Sequence, residues 1–284
     1  MATKLFLIEG LPGSGKTTTA ELLARLLKEE QVDTRLHIEG DVNHPEDYES
    51  VAYLTSDEWT IFQEEFALLD ARLFAESYED HTLMFYRKWQ SEKEVPKAAM
   101  EFLQARDIYE LPFELHQSLI LKKWETLVNR ALKENTTYVF ECCFLQNPLT
   151  IGLIKYDLSE ATLQTYITRL AEIIAPLQPV LIYVNQSDIE RSFRKALQER
   201  PREWAEGFIS YYTEQAYGMN RSLSGVEGTI DILQARQAVE HQLLETFPFR
   251  VEVFENEDFS AEVRQAWLEQ LITSAMHSTF LGES

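Results

Sequence analysis

The segment that most constrains the fold of this chain is GLPGSGKT, which runs from Gly10 to Thr17 and matches the pattern G-x-x-x-x-G-K-[ST]. An apolar run of strand length, residues 4–9, precedes it, and residues 17–28 after it have apolar side chains at helical spacing. The glycines allow backbone turns at which a side chain would clash. A loop of this kind points its N–H groups inward at the positive end of a helix, and it therefore predicts a phosphate-binding site.

The pattern also predicts roles for individual residues. We expect Lys16 to reach the β- and γ-phosphates of a nucleotide and the Thr17 hydroxyl to ligate Mg²⁺. The residues expected to bind the nucleotide are Gly10, Leu11, Pro12, Gly13, Ser14, Gly15, Lys16, Thr17 and Thr18. The alternative is an unoccupied glycine turn, which the strand before and the helix after the loop disfavour.

Charge and cysteine usage restrict the partners and the compartment. The formal net charge is -21, which argues against a nucleic-acid partner because no diffuse basic field would attract a polyanion. The two cysteines, Cys142 and Cys143, are adjacent and form no disulfide framework, which indicates a reducing compartment. No apolar run has the length of a signal-peptide core or a membrane span. We therefore expect a cytoplasmic protein without a membrane partner, and the sequence leaves a homodimer open.

The apolar pattern predicts an α/β fold. Five strand-like runs alternate with helical segments, which indicates a parallel sheet covered by helices on both faces, a three-layer arrangement. The predicted strands are residues 4–9, 33–39, 137–142, 179–184 and 249–254.

A long stretch between the second and third of these strands carries mostly helical signals. Thr55-Ser-Asp-Glu58 is a capping box that opens a helix with apolar residues at helical spacing as far as Leu73, and a further helix follows Pro96. We therefore predict a single domain over residues 1–284, with an inserted helical lobe at about residues 43–135.

Polar side chains follow several of the predicted strands. Ligands of parallel sheets bind at the carboxyl ends of the strands, so we expect Glu9, Glu39 or Asp41, Glu141 and Asn185 to converge around the loop. Asp41 is the first candidate for a base that faces the γ-phosphate, and Glu39 is the second. The alternative for either residue is a solvated carboxylate in a turn.

Glu141 ends the third predicted strand, where a carboxylate could hold Mg²⁺ together with Thr17 or orient the acceptor. The alternative is a buried, ion-paired carboxylate. The helix that follows the fourth strand belongs to a segment, residues 187–204, that we interpret as a lid closing over phosphates. The alternative is a solvated helix whose cations pair with nearby glutamates. The dense basic cluster of this segment comprises Arg191, Arg194, Lys195, Arg200 and Arg202.

Two stretches resemble the nucleoside and nucleotide kinase group of P-loop proteins, especially its thymidylate kinase and deoxynucleoside kinase branches. They are residues 8–18, which contain the loop, and residues 183–204, which are similar to the fourth strand and the lid. The resemblance implies a P-loop NTPase fold with the loop strand at the centre of a five-stranded parallel sheet, ATP as donor and Mg²⁺ as cofactor. It also implies that Arg194, Arg200 and Arg202 are lid arginines.

The chain departs from both branches after the third strand. Thymidylate kinases carry Asp-Arg and deoxynucleoside kinases carry Glu-Arg-Ser there, whereas this chain has Glu141-Cys142-Cys143. The position of Asp41 is more similar to small-molecule kinases such as gluconate or chloramphenicol phosphotransferases. The resemblance therefore leaves the acceptor open.

The leading hypothesis is a kinase that transfers the γ-phosphoryl of ATP to a small-molecule acceptor, with a nucleoside or nucleotide as the first candidate. One alternative is a phosphotransferase acting on an antibiotic or a sugar. A second is a P-loop ATPase or switch that binds a protein partner and transfers nothing to a metabolite, and a third is a kinase-like binding protein without turnover.

Overall fold

A computed structural model describes residues 3–41, 44–67 and 69–277 of the chain. The chain divides into two compact units, Met1–Glu39 with Trp124–Ser284, and Gly40–Lys123. The strands are β1 Leu5–Glu9, β2 Thr34–His37, β3 Val51–Thr55, β4 Ala75–Tyr78, β5 His81–Phe85, β6 Thr137–Glu141, β7 Val180–Asn185 and β8 Arg250–Glu255. The helices are α1 Lys16–Glu29, α2 Ser56–Phe66, α3 Tyr86–Glu92, α4 Lys97–Gln104, α5 Phe113–Ala131, α6 Gln146–Leu149, α7 Glu160–Ile174, α8 Ile189–Glu199, α9 Arg202–Glu214, α10 Ala216–Asn220, α11 Gly225–Leu244 and α12 Ala261–His277.

The first unit is built on a parallel sheet, which in the described residues has five strands in the order β2-β6-β1-β7-β8. Every residue of β1 is buried, as an apolar strand between two parallel neighbours requires. The register pairs Ile8 of β1 with Glu141 of β6 on one side and with Ile182 of β7 on the other. The predicted α/β fold class, with the loop strand at the centre of a parallel sheet, is confirmed.

Helices pack against this sheet according to the alternation of its side chains. Phe6 and Ile8 share one buried cluster with residues of α1 and α12. On β7, Tyr183 reaches α11, where its hydroxyl donates to Glu240 at 2.6 Å. Because the strands are parallel, their carboxyl ends all lie at one edge of the sheet, and the residues that follow β1, β2 and β6 meet there.

The second unit, taken by itself, is not purely helical. It contains an antiparallel sheet in the order β3-β5-β4, which the sequence analysis did not predict. Thr55 caps α2 with the predicted capping box, because its hydroxyl accepts from the backbone of Glu58 while the Glu58 carboxylate accepts from the backbone of Thr55. The helix ends at Phe66, so the extension of its apolar face to Leu73 was wrong, and Leu73 is 79% exposed.

A core of aromatic and aliphatic residues supports the second unit. Phe62 of α2 is 1% exposed and contacts the rings of Trp59, Phe66, Trp89 and Phe102. The aromatic residues of this stretch therefore mainly form core. Across the described part of the chain, none of the helices combines the length and the apolar character that crossing a bilayer requires.

Candidate functional site

The loop between β1 and α1 has a conformation that requires glycine. The φ angles of Gly10 and Gly15 are +139° and +95°. A Cβ atom added to Gly10 would lie 2.5 Å from the carbonyl oxygen of Val184 in β7, and one added to Gly15 would lie 2.7 Å from Nδ2 of Asn256. Both distances are too short for a real side chain, so the loop lies close against the β7 backbone at Gly10 and against the Asn256 side chain at Gly15, as the pattern of glycines predicted.

Lys16 begins α1 and lies inside the loop. It is 6% exposed, and its Nζ donates to the backbone carbonyl of Leu11 at 3.0 Å. Burial by itself would lower the pKa of this amine, but the nearby negative groups, including the Glu39 and Glu141 carboxylates, outweigh that effect and raise the pKa. The loop therefore contains a buried, charged ammonium group at neutral pH.

Two carboxylates stand beside the loop. The Thr17 hydroxyl donates to Glu141 Oε1 at 2.6 Å, and the backbone N–H of Glu39 donates to Glu141 Oε2 at 3.4 Å. One potential ligand atom each from Glu39, Glu141 and Cys142 lies within 4.8 Å of the others. Of the residues expected to converge around the loop, Glu39 and Glu141 thus lie together beside it.

The donor set of this cluster fits Mg²⁺. The Thr17 hydroxyl and the two carboxylates supply oxygen atoms, which a hard divalent cation prefers. Burial raises the pKa of the Cys142 thiol well above its usual value, so a thiolate, the ligand that softer metals select, is absent at neutral pH. Thr17 and Glu141 are therefore the residues that would hold the ion, and the Glu39 carboxylate lies beside them.

The segment after β6 orients the exposed carboxylate of Glu39. Gln146 donates from Nε2 to Glu39 Oε1 at 2.9 Å, and the Cys142 thiol lies 3.7 Å from Glu39 Oε2. Cys142 has a φ of 70°, a conformation that side chains rarely adopt. This turn bends the chain directly after Glu141 and brings Gln146 back to Glu39.

Glu9 lies at the end of β1 but contacts the segment after β6 rather than the loop. It is fully buried, and its carboxylate accepts from the backbone N–H groups of Phe144 at 2.8 Å and Gln146 at 3.0 Å. Burial raises its pKa to about 7, although the backbone hydrogen bonds act in the opposite direction. Glu9 is thus a positioning residue for the turn that carries Gln146. Asn185, also expected at the loop, instead bonds to Glu255 at 2.8 Å.

A cavity of about 630 Å³ opens over the loop, within the first unit. Its lining includes the loop from Pro12 to Thr18, both carboxylates, and side chains of α8, α9 and α12. Cavities that hold small molecules commonly have volumes of roughly 300–1,000 Å³. The space over the loop is therefore large enough for a nucleotide-sized ligand.

The basic cluster divides between this cavity and the surface. Lys195 and Arg200 line the cavity, where Lys195 Nζ lies 3.4 Å from the centre of the Phe259 ring. Arg194 lies outside the lining and bonds to two glutamates, Glu190 at 2.8 Å and Glu227 at 2.6 Å.

Arg202 also lies outside the cavity lining. Its side chain is 86% exposed and pairs with Glu206 at 2.7 Å. Both Arg194 and Arg202 thus have the surface pairing that the solvated-helix alternative describes, and their part in a lid stays a prediction.

One wall of the cavity is aromatic. Trp204, Phe208 and Tyr212 lie four residues apart on α9, and their rings stack in sequence with centroid distances of 5.1 and 4.2 Å. The guanidinium of Arg200 lies 4.5 Å from the Trp204 ring. At the other end the Tyr212 hydroxyl accepts from Arg236 at 2.9 Å. The i, i+4, i+8 spacing of the rings directly after the basic cluster is the sequence signal that would have indicated this wall.

The sequence analysis missed two residues that contact the loop from the far end of the chain. Asn256 follows β8 and donates from Nδ2 to the carbonyl of Ser14 at 2.7 Å. Arg264, in the first turn of α12, donates from Nη2 to Asn256 Oδ1 at 3.1 Å. Both are buried and Arg264 also lines the cavity. Asn256 is 242 residues from Ser14 in the sequence, and its place after a strand was the available signal, whereas Arg264 left no local pattern to find it.

Asp41, the first candidate for the base, belongs to the second unit. Its backbone carbonyl accepts from the backbone N–H of His44 at 2.9 Å. The choice between Asp41 and Glu39 as the base stays a prediction.

No family model matches the sequence, and no curated protein matches it either. Among solved structures the chain is similar to a thymidylate kinase from Ehrlichia chaffeensis, with 12% sequence identity and a TM-score of 0.38. The alignment covers 96% of this chain and 100% of that one. The fold and the site themselves define the class as an α/β protein with a parallel sheet whose central strand leads into a glycine-rich loop with a buried lysine.

Proposed function

We propose that this protein is a kinase that transfers the γ-phosphoryl group of ATP to a small-molecule acceptor, with a nucleoside or nucleotide as the first candidate. The observation that carries the proposal is the hydrogen bond of 2.6 Å between the Thr17 hydroxyl and Glu141 at the mouth of the loop. It joins a hydroxyl at the start of α1 to a carboxylate at the end of the adjacent strand. Phosphoryl transfer needs this combination of a phosphate cradle and a site for Mg²⁺.

In this proposal the chain supplies mainly position and charge. The N–H groups of the loop and the Lys16 ammonium bind the phosphates, and Thr17 and Glu141 hold Mg²⁺, which neutralises phosphate charge when it is bound. Glu39 stands beside Glu141 with its carboxylate held by Gln146. It is therefore a candidate to accept the acceptor's proton, alongside Asp41.

The aromatic wall of α9 supports an acceptor that contains a planar ring. Trp204 and Phe208 are partly exposed in the cavity, whose lining also includes the loop and the Glu39 and Glu141 carboxylates. Aromatic edges pack favourably against the face of another ring. A nucleoside or nucleotide combines such a ring with hydroxyl or phosphate oxygens that can accept a phosphoryl group, whereas a sugar lacks the ring.

Label transfer from [γ-³²P]ATP in the presence of Mg²⁺ tests the proposal. The panel contains nucleosides, nucleoside monophosphates, gluconate and an aromatic antibiotic, so that each acceptor class from the sequence analysis is represented. We expect label in a nucleoside or nucleotide and its loss in the Lys16→Ala variant. Label released only as inorganic phosphate would support the ATPase alternative and contradict the proposal, and bound ATP without any turnover would support the binding-protein alternative.

A further inference from the structure

Arg264 is a buried arginine without a carboxylate partner. Arg264 is 4% exposed, its Nη2 donates to Asn256 Oδ1 at 3.1 Å, and its Nε has no hydrogen-bond partner. Within the described residues no carboxylate oxygen lies within ion-pairing distance of its guanidinium. The guanidinium therefore keeps unused hydrogen-bonding capacity and an uncompensated charge.

The surroundings make this arrangement costly for the folded protein. Burial lowers the pKa of the Arg264 guanidinium, and no negative charge among the described residues opposes that effect. Its position in the first turn of α12 adds to the cost, since the positive end of a helix repels a cation. Arg236, which is also buried, instead pairs with Glu240 at 2.8 Å through two nitrogens. Within the described residues, Arg264 is thus a buried arginine without an ion-pair partner, although the chain has 47 acidic residues.

The unpaired guanidinium lies beside the phosphate loop. Its Nη2 would be 3.3 Å from a Cβ atom placed on Gly15, and Asn256 connects it to the carbonyl of Ser14. Arg264 lines the same cavity as Gly13, Gly15, Lys16 and Thr17 of the loop. The chemical group that fits a cavity lined by the Lys16 ammonium, the start of a helix and an uncompensated guanidinium is a polyphosphate.

We propose that Arg264 binds the phosphate chain of the nucleotide directly, as a further cation of the phosphate site in addition to Lys16. This proposal rests on the function proposed above, because the anion is the polyphosphate of the donor. Arg264 is then a nucleotide-binding residue, and Asn256 positions it relative to the loop.

Calorimetric titration with two probes, Mg²⁺-ATP and inorganic tripolyphosphate, tests the contact. Arg264→Met keeps the length of the side chain and removes the charge. Loss of a charge-assisted hydrogen bond should raise the Kd of both probes by about 10- to 100-fold. Arg264→Lys should recover part of the affinity, because it restores the charge without the planar fork. Arg25→Met, which removes an exposed arginine on α1, is the matched control and should leave both Kd values unchanged.

Thermal unfolding without ligand separates this role from a structural one. A buried arginine whose charge is compensated only by the bound ligand destabilises the ligand-free protein. Arg264→Met should therefore unfold at the same temperature as the wild type or at a higher one. An arginine that acts only by holding Asn256 should lower the unfolding temperature when it is removed. In that case Arg264→Lys would recover none of the probe affinity, and the proposal would be overturned.

The remaining outcomes distinguish this proposal from the proposed function. Unchanged Kd values for Arg264→Met, together with lost binding in Lys16→Ala, would overturn the role of Arg264 and leave the kinase proposal intact. A weakened Kd for ATP with an unchanged Kd for tripolyphosphate would also overturn it, because the contact would then not be to phosphate. A wild type that binds neither probe would overturn both proposals.

Discussion

Replacing Glu9 with glutamine should change how the stability of the protein depends on pH, because this carboxyl group is fully buried at the end of β1. Its carboxylate accepts two backbone hydrogen bonds, from Phe144 and Gln146. Burial outweighs them and raises the pKa of this carboxyl group from its ordinary value of 4.5 to about 7. The folded state therefore binds the proton more tightly than the unfolded state does.

The sign and the size of the effect follow from this difference. Between the two pKa values folding takes up a proton, so the contribution of Glu9 to the free energy of unfolding is largest at low pH and falls as the pH rises through about 7. Integration between pH 5 and pH 8 gives a loss of about 2.5 kcal/mol for the wild type. Glu9→Gln lacks this pH-dependent loss. In the variant, however, the glutamine NH₂ group faces one of the two backbone N–H groups, which loses its acceptor and lowers the free energy of unfolding by about 1–3 kcal/mol.

Urea unfolding of the wild type and of Glu9→Gln at pH 5, 6, 7 and 8 measures the effect. We expect the variant to be clearly less stable than the wild type at pH 5 and to approach it by pH 8, with the difference shrinking by about 2.5 kcal/mol. The exposed Glu21 on α1 provides the control, since Glu21→Gln should follow the wild type at every pH. A difference between the wild type and Glu9→Gln that stays constant from pH 5 to pH 8 would refute the reasoning.

Three further predictions concern the loop, the ion site and the core. Gly15→Ala places a Cβ atom 2.7 Å from Asn256 at a φ of +95°, so urea unfolding should show a loss of about 1–3 kcal/mol, and full stability would contradict the described loop conformation. Glu141→Gln should lower kcat by about 10- to 100-fold and raise the Mg²⁺ concentration needed for half-maximal rate, whereas an unchanged Mg²⁺ dependence would exclude it from the ion site. Arg236→Met leaves the buried Glu240 carboxylate without its ion-pair partner and should lower the free energy of unfolding by about 3–5 kcal/mol, as measured in urea. The double variant with Glu240→Met should recover most of that loss, and an equal loss in both variants would contradict the pairing.

The parallel sheet could be predicted from the sequence because its strands are short apolar runs between turn signals. β1 and β7 are buried almost throughout, so their composition alone marks them as strands of a covered parallel sheet. The central place of the loop strand followed from the resemblance rather than from the apolar pattern, and the order of the other strands was not predicted. The position of the loop then places the carboxyl ends of β2 and β6 beside it.

The antiparallel sheet of the second unit could not be found in the same way. The turn between β4 and β5 uses Glu79 at a φ of 55°, where sequence rules look for Gly or Asn. Ala75–Tyr78 has no buried residue and therefore lacks the apolar alternation of a strand. Leu73, at helical spacing after Phe66, suggested instead that α2 continued, although the chain leaves the helix at Ala67 with a φ of 48°.

The candidate site was predictable where it depends on strand ends and unpredictable where it depends on long-range packing. Glu141, the last residue of β6, bonds to Thr17, and Glu39 follows the neighbouring β2 and lies beside Glu141, because both strands belong to one parallel sheet. Asn256 likewise follows a strand of that sheet, β8, so the strand-end rule would have indicated it. Arg264 reaches the loop only because α12 packs beside α1 in the folded chain, and this contact leaves no periodic or local signal in the sequence.

The central claim is that the loop from Gly10 to Thr17 binds the phosphates of ATP, and calorimetric titration of Mg²⁺-ATP into the wild type and into Lys16→Ala tests it most directly. Lys16 lies inside the loop with its pKa raised, so the account predicts a saturable heat with one site per chain in the wild type. It also predicts a loss of affinity of about 100-fold or more in Lys16→Ala. No heat with the wild type, or equal affinity in both proteins, would contradict the account.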